Sequence, residues 1–301
     1  MNLREAYLSS WRTLNSTLDA IFYDINSLSP QERDVLSAQN SPEGSVLVVY
    51  PCSSDLPIRS LSPLKFVEEQ TETAVDAVDA VVVAGVGSSA IGTAALARNV
   101  AEYLKRPVAG IISGFGMSDL ITEALGGWFI LEARNTLRDS YARLFDVWNL
   151  KDHVRDPESH NDMKDHFDSV GIDTNRFIYG SPDSTALLYL LSKLGNKIKL
   201  LVGHSKGNYS IENALEGWIT ADKKTPVPSD LCIITLGAVV RFPSEFSNNV
   251  HQFIGQTDFF GMMNSQFTPE RVYVPGAGHS LNTLSPGHLS VKDALNSVGF
   301  Q

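Results

Sequence analysis

The sequence predicts an α/β fold: a doubly wound, mostly parallel sheet covered by helices on both faces. Two observations carry that prediction. Short apolar runs recur along the chain: "VLVVY" (46–50), "AVVVA" (80–84), "VAGII" (108–112), "IKLLV" (198–202), "LCIITL" (231–236), "VHQFI" (250–254) and "RVYV" (271–274). They are continuous rather than alternating, which is the pattern of strands buried on both faces. Helical patterns at 91–104, 184–194, 209–218 and 288–298 lie between most of them. Strand and helix in alternation build a parallel sheet.

Ahead of the first run, Leu3, Tyr7, Trp11, Leu14, Leu18, Ile21 and Ile25 recur at spacings of three and four. That is one stripe of an amphipathic helix, expected to pack on the main domain, with a homodimer contact as its other use. A second helix opens at "SPQE", with Ser29 as cap, Pro30 in the first turn and Glu32 closing a capping box. Residues 1–44 are therefore read as a helical extension and 45–301 as the main domain. Residues 126–180 break the rhythm. Trp128, Phe129, Tyr141, Phe145 and Trp148 precede a charged run, "KDHVRDPESHNDMKDHFD". An insert of this length suits a lid or cap, whose Trp128, Phe129, Phe145 and Trp148 would roof an apolar pocket.

Composition narrows the function. The chain has 301 residues, is 43% hydrophobic and carries a net charge of −10. That charge repels phosphate backbones and anionic lipid heads, which argues against nucleic-acid or membrane-surface partners. Cys52 and Cys232 lie far apart, without the spacing of a disulfide framework or a zinc-thiolate site, and fit a reducing compartment. No signal-peptide core opens the sequence, and no apolar run approaches the ~18 residues of a membrane span. A soluble, cytoplasmic protein is expected. His153, His160 and His166 stand among acids in the insert but match no HxH or HExxH spacing, so no metal is expected, and no cofactor.

The stretch that points to chemistry is "KLLVGHSKGNYS" (199–210). Gly203-His204-Ser205-Lys206-Gly207 is a G-x-S-x-G pentapeptide placed after an apolar strand and before a helical segment. That is where a sharp strand-to-helix turn lifts a serine oxygen above a sheet edge. A serine hydroxyl needs a base to take its proton, and the base must be oriented. Further on, "VHQFIGQTDFFG" delivers Asp258 just past the end of one strand, and "RVYVPGAGHSLN" delivers His279 in a loop after the next. Asp230 precedes its strand and Glu245 lies well beyond one. His251 sits inside a strand and His288 opens a helix, so these compete poorly.

On the pentapeptide, its strand–turn–helix setting and the order Ser205, Asp258, His279, the sequence from Val46 onward resembles the α/β-hydrolase superfamily. The resemblance implies Ser205 as nucleophile, His279 as general base and then acid, and Asp258 as the residue that orients His279. It implies hydrolysis or acyl transfer on a carboxylic ester or thioester, a small acyl substrate, through an acyl-serine. Oxyanion donors are expected from the Lys206 backbone N–H and from Val86 or Gly87 in the loop "GVGSSAIG", whose glycines expose N–H groups beside a helix N-terminus.

That loop supports two rival readings. "VVVAGVGSSA" also fits a dinucleotide fingerprint, but the following strand ends in "ISGFG" with Ser113 where a ribose-binding acid is wanted. It also resembles the serine-rich phosphate loop of sugar isomerase domains, with Ser88 and Ser89 on a phosphosugar. A non-catalytic protein that keeps the fold is the remaining alternative.

Overall fold

The structure, a computed structural model, describes residues 18–39, 41–72, 77–85, 88–113, 157–172, 182–221 and 228–300. Within them lie strands β1 (Val46–Val49), β2 (Arg59–Leu61), β3 (Ala80–Val83), β4 (Val108–Ile111), β5 (Leu200–His204), β6 (Cys232–Leu236), β7 (Val250–Gly255) and β8 (Val272–Val274). The helices are α1 (Pro30–Ala38), α2 (Pro63–Glu72), α3 (Ala90–Leu104), α4 (Pro157–Val170), α5 (Pro182–Leu194), α6 (Lys206–Thr220), α7 (Phe259–Met263) and α8 (Val291–Val298).

The strands form one eight-stranded sheet in the order β2-β1-β4-β3-β5-β6-β7-β8. From β4 to β8 every pairing is parallel, while β1 runs antiparallel to both β2 and β4. Strand β2 had no sequence signal, because its three residues are only half-buried and carry no apolar run. Successive side chains point to opposite faces of a strand, and the core divides accordingly. Leu47, Val82, Leu200, Val202 and Ile234 face the side packed by α3 and α8; Val46, Val81, Val83, Leu201 and Ile233 face the side packed by α2, α4, α5 and α6. The sheet is thus covered on both faces.

Local signals held where the chemistry was short-range. Ser29 Oγ accepts from the Glu32 N–H (3.2 Å) and Glu32 Oε2 from the Ser29 N–H (2.8 Å), the reciprocal cap that starts α1. At the other end of the chain, His288 does not open a helix. Ser290 accepts from the Asp293 N–H and starts α8 at Val291, leaving His288 in the turn before it.

The apolar stripe misplaces the buried face at the end of the N-terminal helix. Residues 18–22 are helical, yet Ile21 is 49% exposed while Asp19 and Tyr23 are 1% and 3% exposed. Polar contacts, described below, outweigh the stripe there. Leu3, Tyr7, Trp11 and Leu14 lie outside the described residues, as do Val86, Gly87, Trp128, Phe129, Phe145 and Trp148. The described part of the insert, 157–172, is built into the core. Phe167 is fully buried with Phe66, Leu187 and Leu190, and Ile172 joins the same cluster. From Asp162 onward, where Asp162, Lys164, Asp165 and Asp168 are exposed opposite Phe167, the charged run is the wet face of an amphipathic helix.

Candidate active site

Parallel strands deliver all their following loops to one edge. Between β3 and β5 the winding reverses, because β4 lies on one side of β3 and β5 on the other. Such a switch point is where open α/β sheets leave a crevice. Its two walls are the loop after β3, which includes Gly85, Ser88 and Ser89, and the turn after β5, which carries Ser205.

Ser205 adopts φ 53°, ψ −120°, a region that non-glycine residues avoid, and N-caps α6. Holding it there costs about 1–3 kcal/mol, which only the surrounding packing can sustain. The packing is visible. A Cβ on Gly203 would lie 2.3 Å from Asn208 Oδ1, and one on Gly207 2.2 Å from the Val83 carbonyl oxygen. The two glycines of the pentapeptide therefore let the helix start press onto its own strand and onto β3. Asn208 Nδ2 then donates to the carbonyls of Leu236 and Ala238 (3.0 and 2.8 Å), and the Ser205 N–H donates to Leu236. Below the turn, the buried Asp183 carboxylate accepts from Ser113 and Ser210 (3.0 and 2.8 Å) and lies 3.9 Å from the Lys206 ammonium. The Lys206 N–H belongs to the first turn of α6, where N–H groups have no acceptor within their own helix.

The structure brings Asp258 and His279 together. His279 Nδ1 lies 2.8 and 3.0 Å from the two carboxylate oxygens. Asp258 also caps α7 by accepting from the Gly261 N–H (2.6 Å), so its fully buried carboxylate is held from two sides. With Nδ1 engaged by Asp258, the proton-accepting nitrogen left to His279 is Nε2. The competing acids are elsewhere: Glu245 is exposed in a short 3-10 turn, and Asp230 pairs with Lys199 at 2.7 Å. His251 is inside β7, as expected. Phe22 meets the His279 ring edge-on at 5.5 Å and Phe260 lies 6.2 Å away, so the imidazole has apolar flanks.

Three site residues escaped the sequence reading. His204, inside the pentapeptide, is buried with its ring 4.8 Å from that of His279. Tyr23 and Asp19 come from the N-terminal segment. Tyr23 Oη lies 2.9 Å from His204 Nδ1 and accepts from the Gly85 N–H at 2.6 Å. Asp19 accepts from the Ser89 N–H and hydroxyl at the start of α3. Burial pushes the Asp19 carboxyl up to about 6, against the pull of its Ser89, Gly92 and Ser88 hydrogen bonds. No local spacing pattern would have found these residues, although the position of His204 next to the serine was a hint.

The contact of Asp19 also bears on the rival readings of the β3 loop. A phosphate at a helix N-terminus needs the exposed N–H groups. Here a side-chain carboxylate already occupies Ser89, which itself caps α3 through the Ile91 N–H. Among the described residues, no group of three or more His, Cys, Asp or Glu is placed to hold a metal ion, and no helix is long and apolar enough to cross a membrane. His166 is spent structurally, 2.9 Å from the Ser192 hydroxyl. Compared with family models, curated proteins and solved structures, the chain shows no match.

Proposed function

We propose that this chain is a serine hydrolase of α/β-hydrolase type, acting on a carboxylic ester or thioester through an acyl-Ser205 intermediate. The observation that carries the reading is a serine held at φ 53° at the sheet's switch point, on the edge that also carries an imidazole hydrogen-bonded to a buried carboxylate. Strain of that kind persists where a reactive group must be presented.

The steps follow from those positions. Ser205 Oγ attacks the substrate carbonyl carbon while its proton passes to His279 Nε2. Asp258 keeps Nδ1 protonated and stabilises the imidazolium that results. The carbonyl π pair moves onto oxygen, and the oxyanion is met by the Lys206 N–H at the start of α6. When the tetrahedral centre collapses, the bond to the leaving alcohol or thiol breaks, and that group takes the proton from His279. Water, deprotonated by the same imidazole, then releases the acid and regenerates Ser205. The apolar rings of Phe22 and Phe260 beside His279 favour an apolar group at the reacting centre.

Labelling with a fluorophosphonate probe tests this. Stoichiometric modification at Ser205, lost in Ser205→Ala, is the expected result. A folded protein that takes no label would overturn it.

A further inference from the structure

The hydrogen bonds around His204 have only one consistent direction. The His279 carbonyl, 3.0 Å from His204 Nε2, has no proton to give, so Nε2 carries the proton and donates. A neutral imidazole then has an acceptor at Nδ1, and the hydroxyl of Tyr23 donates to it. The Tyr23 oxygen in turn accepts from the Gly85 N–H. One chain of three bonds therefore runs from the β3 loop, through the N-terminal segment and the residue before the nucleophile, to the backbone of the catalytic histidine.

Residues 20–24 are fastened to the His279 loop. The Leu281 N–H donates to the Phe22 carbonyl (2.8 Å), Ser280 Oγ to that of Ile21 (2.7 Å), and Asn282 Nδ2 to that of Ala20 (2.7 Å). Thr283 Oγ1 donates to Asp24 (2.7 Å). Space is tight at the centre, where a Cβ on Gly85 would lie 3.1 Å from both Ser205 Cβ and Tyr23 Oη.

Resting on the hydrolase reading, we infer that Tyr23 and His204 are positioning residues, which fix the His279 loop relative to Ser205 and the β3 loop. Residues 18–24 are then a wall of the active site rather than an appendage. The His204 ring meets two titratable side chains, Tyr23 and His279. Burial first, and the nearby His279 second, hold its pKa well below the ordinary imidazole range, so it stays neutral beside the base. A charge there would oppose formation of the His279 imidazolium.

The test is the rate of fluorophosphonate labelling at Ser205 against pH, in wild type, Tyr23→Phe, His204→Gln and His204→Leu, with thermal melts to confirm folding. Tyr23→Phe should slow labelling by about 10- to 100-fold, the scale of small misplacements. Its acid limb should stay unsplit, because burial and the nearby His279, which hold His204 neutral, are unchanged by the substitution. With an ester substrate the loss should fall on kcat rather than KM. His204→Gln, whose amide can still donate to the His279 carbonyl, should retain more activity than His204→Leu. Nitrogen-15 NMR of the histidines in wild type should show His204 protonated at Nε2 alone from pH 5 to 8, a readout that survives even if a variant fails to fold. A wild type that labels alongside an unchanged Tyr23→Phe, or a His204 protonated at Nδ1, would overturn the positioning role alone. A wild type that never labels would overturn the hydrolase reading and this role with it.

Discussion

Asp19 places its carboxylate on both the N–H and the hydroxyl of Ser89, 70 residues away, and so fills the N-terminal end of α3 with the protein's own anion. The contact joins the N-terminal segment to the loop expected to help form the oxyanion site.

This anion is buried, and its pKa is raised from the ordinary value of 3.8 to about 6. Between those two values the folded chain binds a proton that the unfolded chain does not, so stability falls as pH rises through the interval. Below pH 3.8 the contribution is whole, and above about 6 it is gone. The difference in unfolding free energy between wild type and Asp19→Asn should therefore move against wild type by up to about 3 kcal/mol from pH 4 to pH 7. Denaturant titrations of both proteins across that range measure it; a pH-independent difference would mean that Asp19 does not titrate there.

His166 titrates over much of the same window with the opposite sign. Burial, and secondarily Lys193, lower its pKa from 6.5 to about 4. Between those values the unfolded chain holds the extra proton, so stability is present above pH 6.5 and lost as pH falls toward 4. The ring is only half-buried, so the loss should be about 1–2 kcal/mol after solvent screening. His166→Gln should flatten that limb in the same titrations, and an unflattened one would assign it to another group. Because the two groups oppose each other, only the variants separate them.

Asp258→Asn should keep the fold, since Oδ1 can still accept from the Gly261 N–H, but cost about 10⁴ in turnover. An amide at that place donates to His279 Nδ1 and so favours the wrong tautomer. Ester hydrolysis at neutral pH reads this directly. Near-wild-type turnover, with loss in Glu245→Gln instead, would move the acid to Glu245.

Gly207→Ala probes the close approach under Ser205. Its Cβ would meet the Val83 and Ala84 carbonyl oxygens at 2.2 and 2.7 Å, and backbone of a central strand yields little. A loss of about 3 kcal/mol in unfolding free energy is expected, the upper range for overpacking. Wild-type stability with an unchanged labelling rate would show that α6 can slide outward without disturbing Ser205.

The central strands and the helices between them were legible in the sequence because each rests on a local pattern. A strand buried on both faces must be apolar throughout, so β3, β5 and β6 announce themselves. The turn at Ser205 needs glycines within two residues, and parallel strands send their following loops to one edge, which makes Asp258 and His279 findable by order alone. What the tertiary structure alone decided lies between residues distant in sequence. Tyr23 meets His204 across 181 positions, and no period of 2 or 3.6 encodes that contact. The buried faces of Asp19 and Tyr23 run against the apolar stripe, since hydrogen bonds to loops formed only in the folded chain offset their desolvation. The reversed direction of β1 likewise depends on which edge partner it meets, and its apolar run reads the same either way.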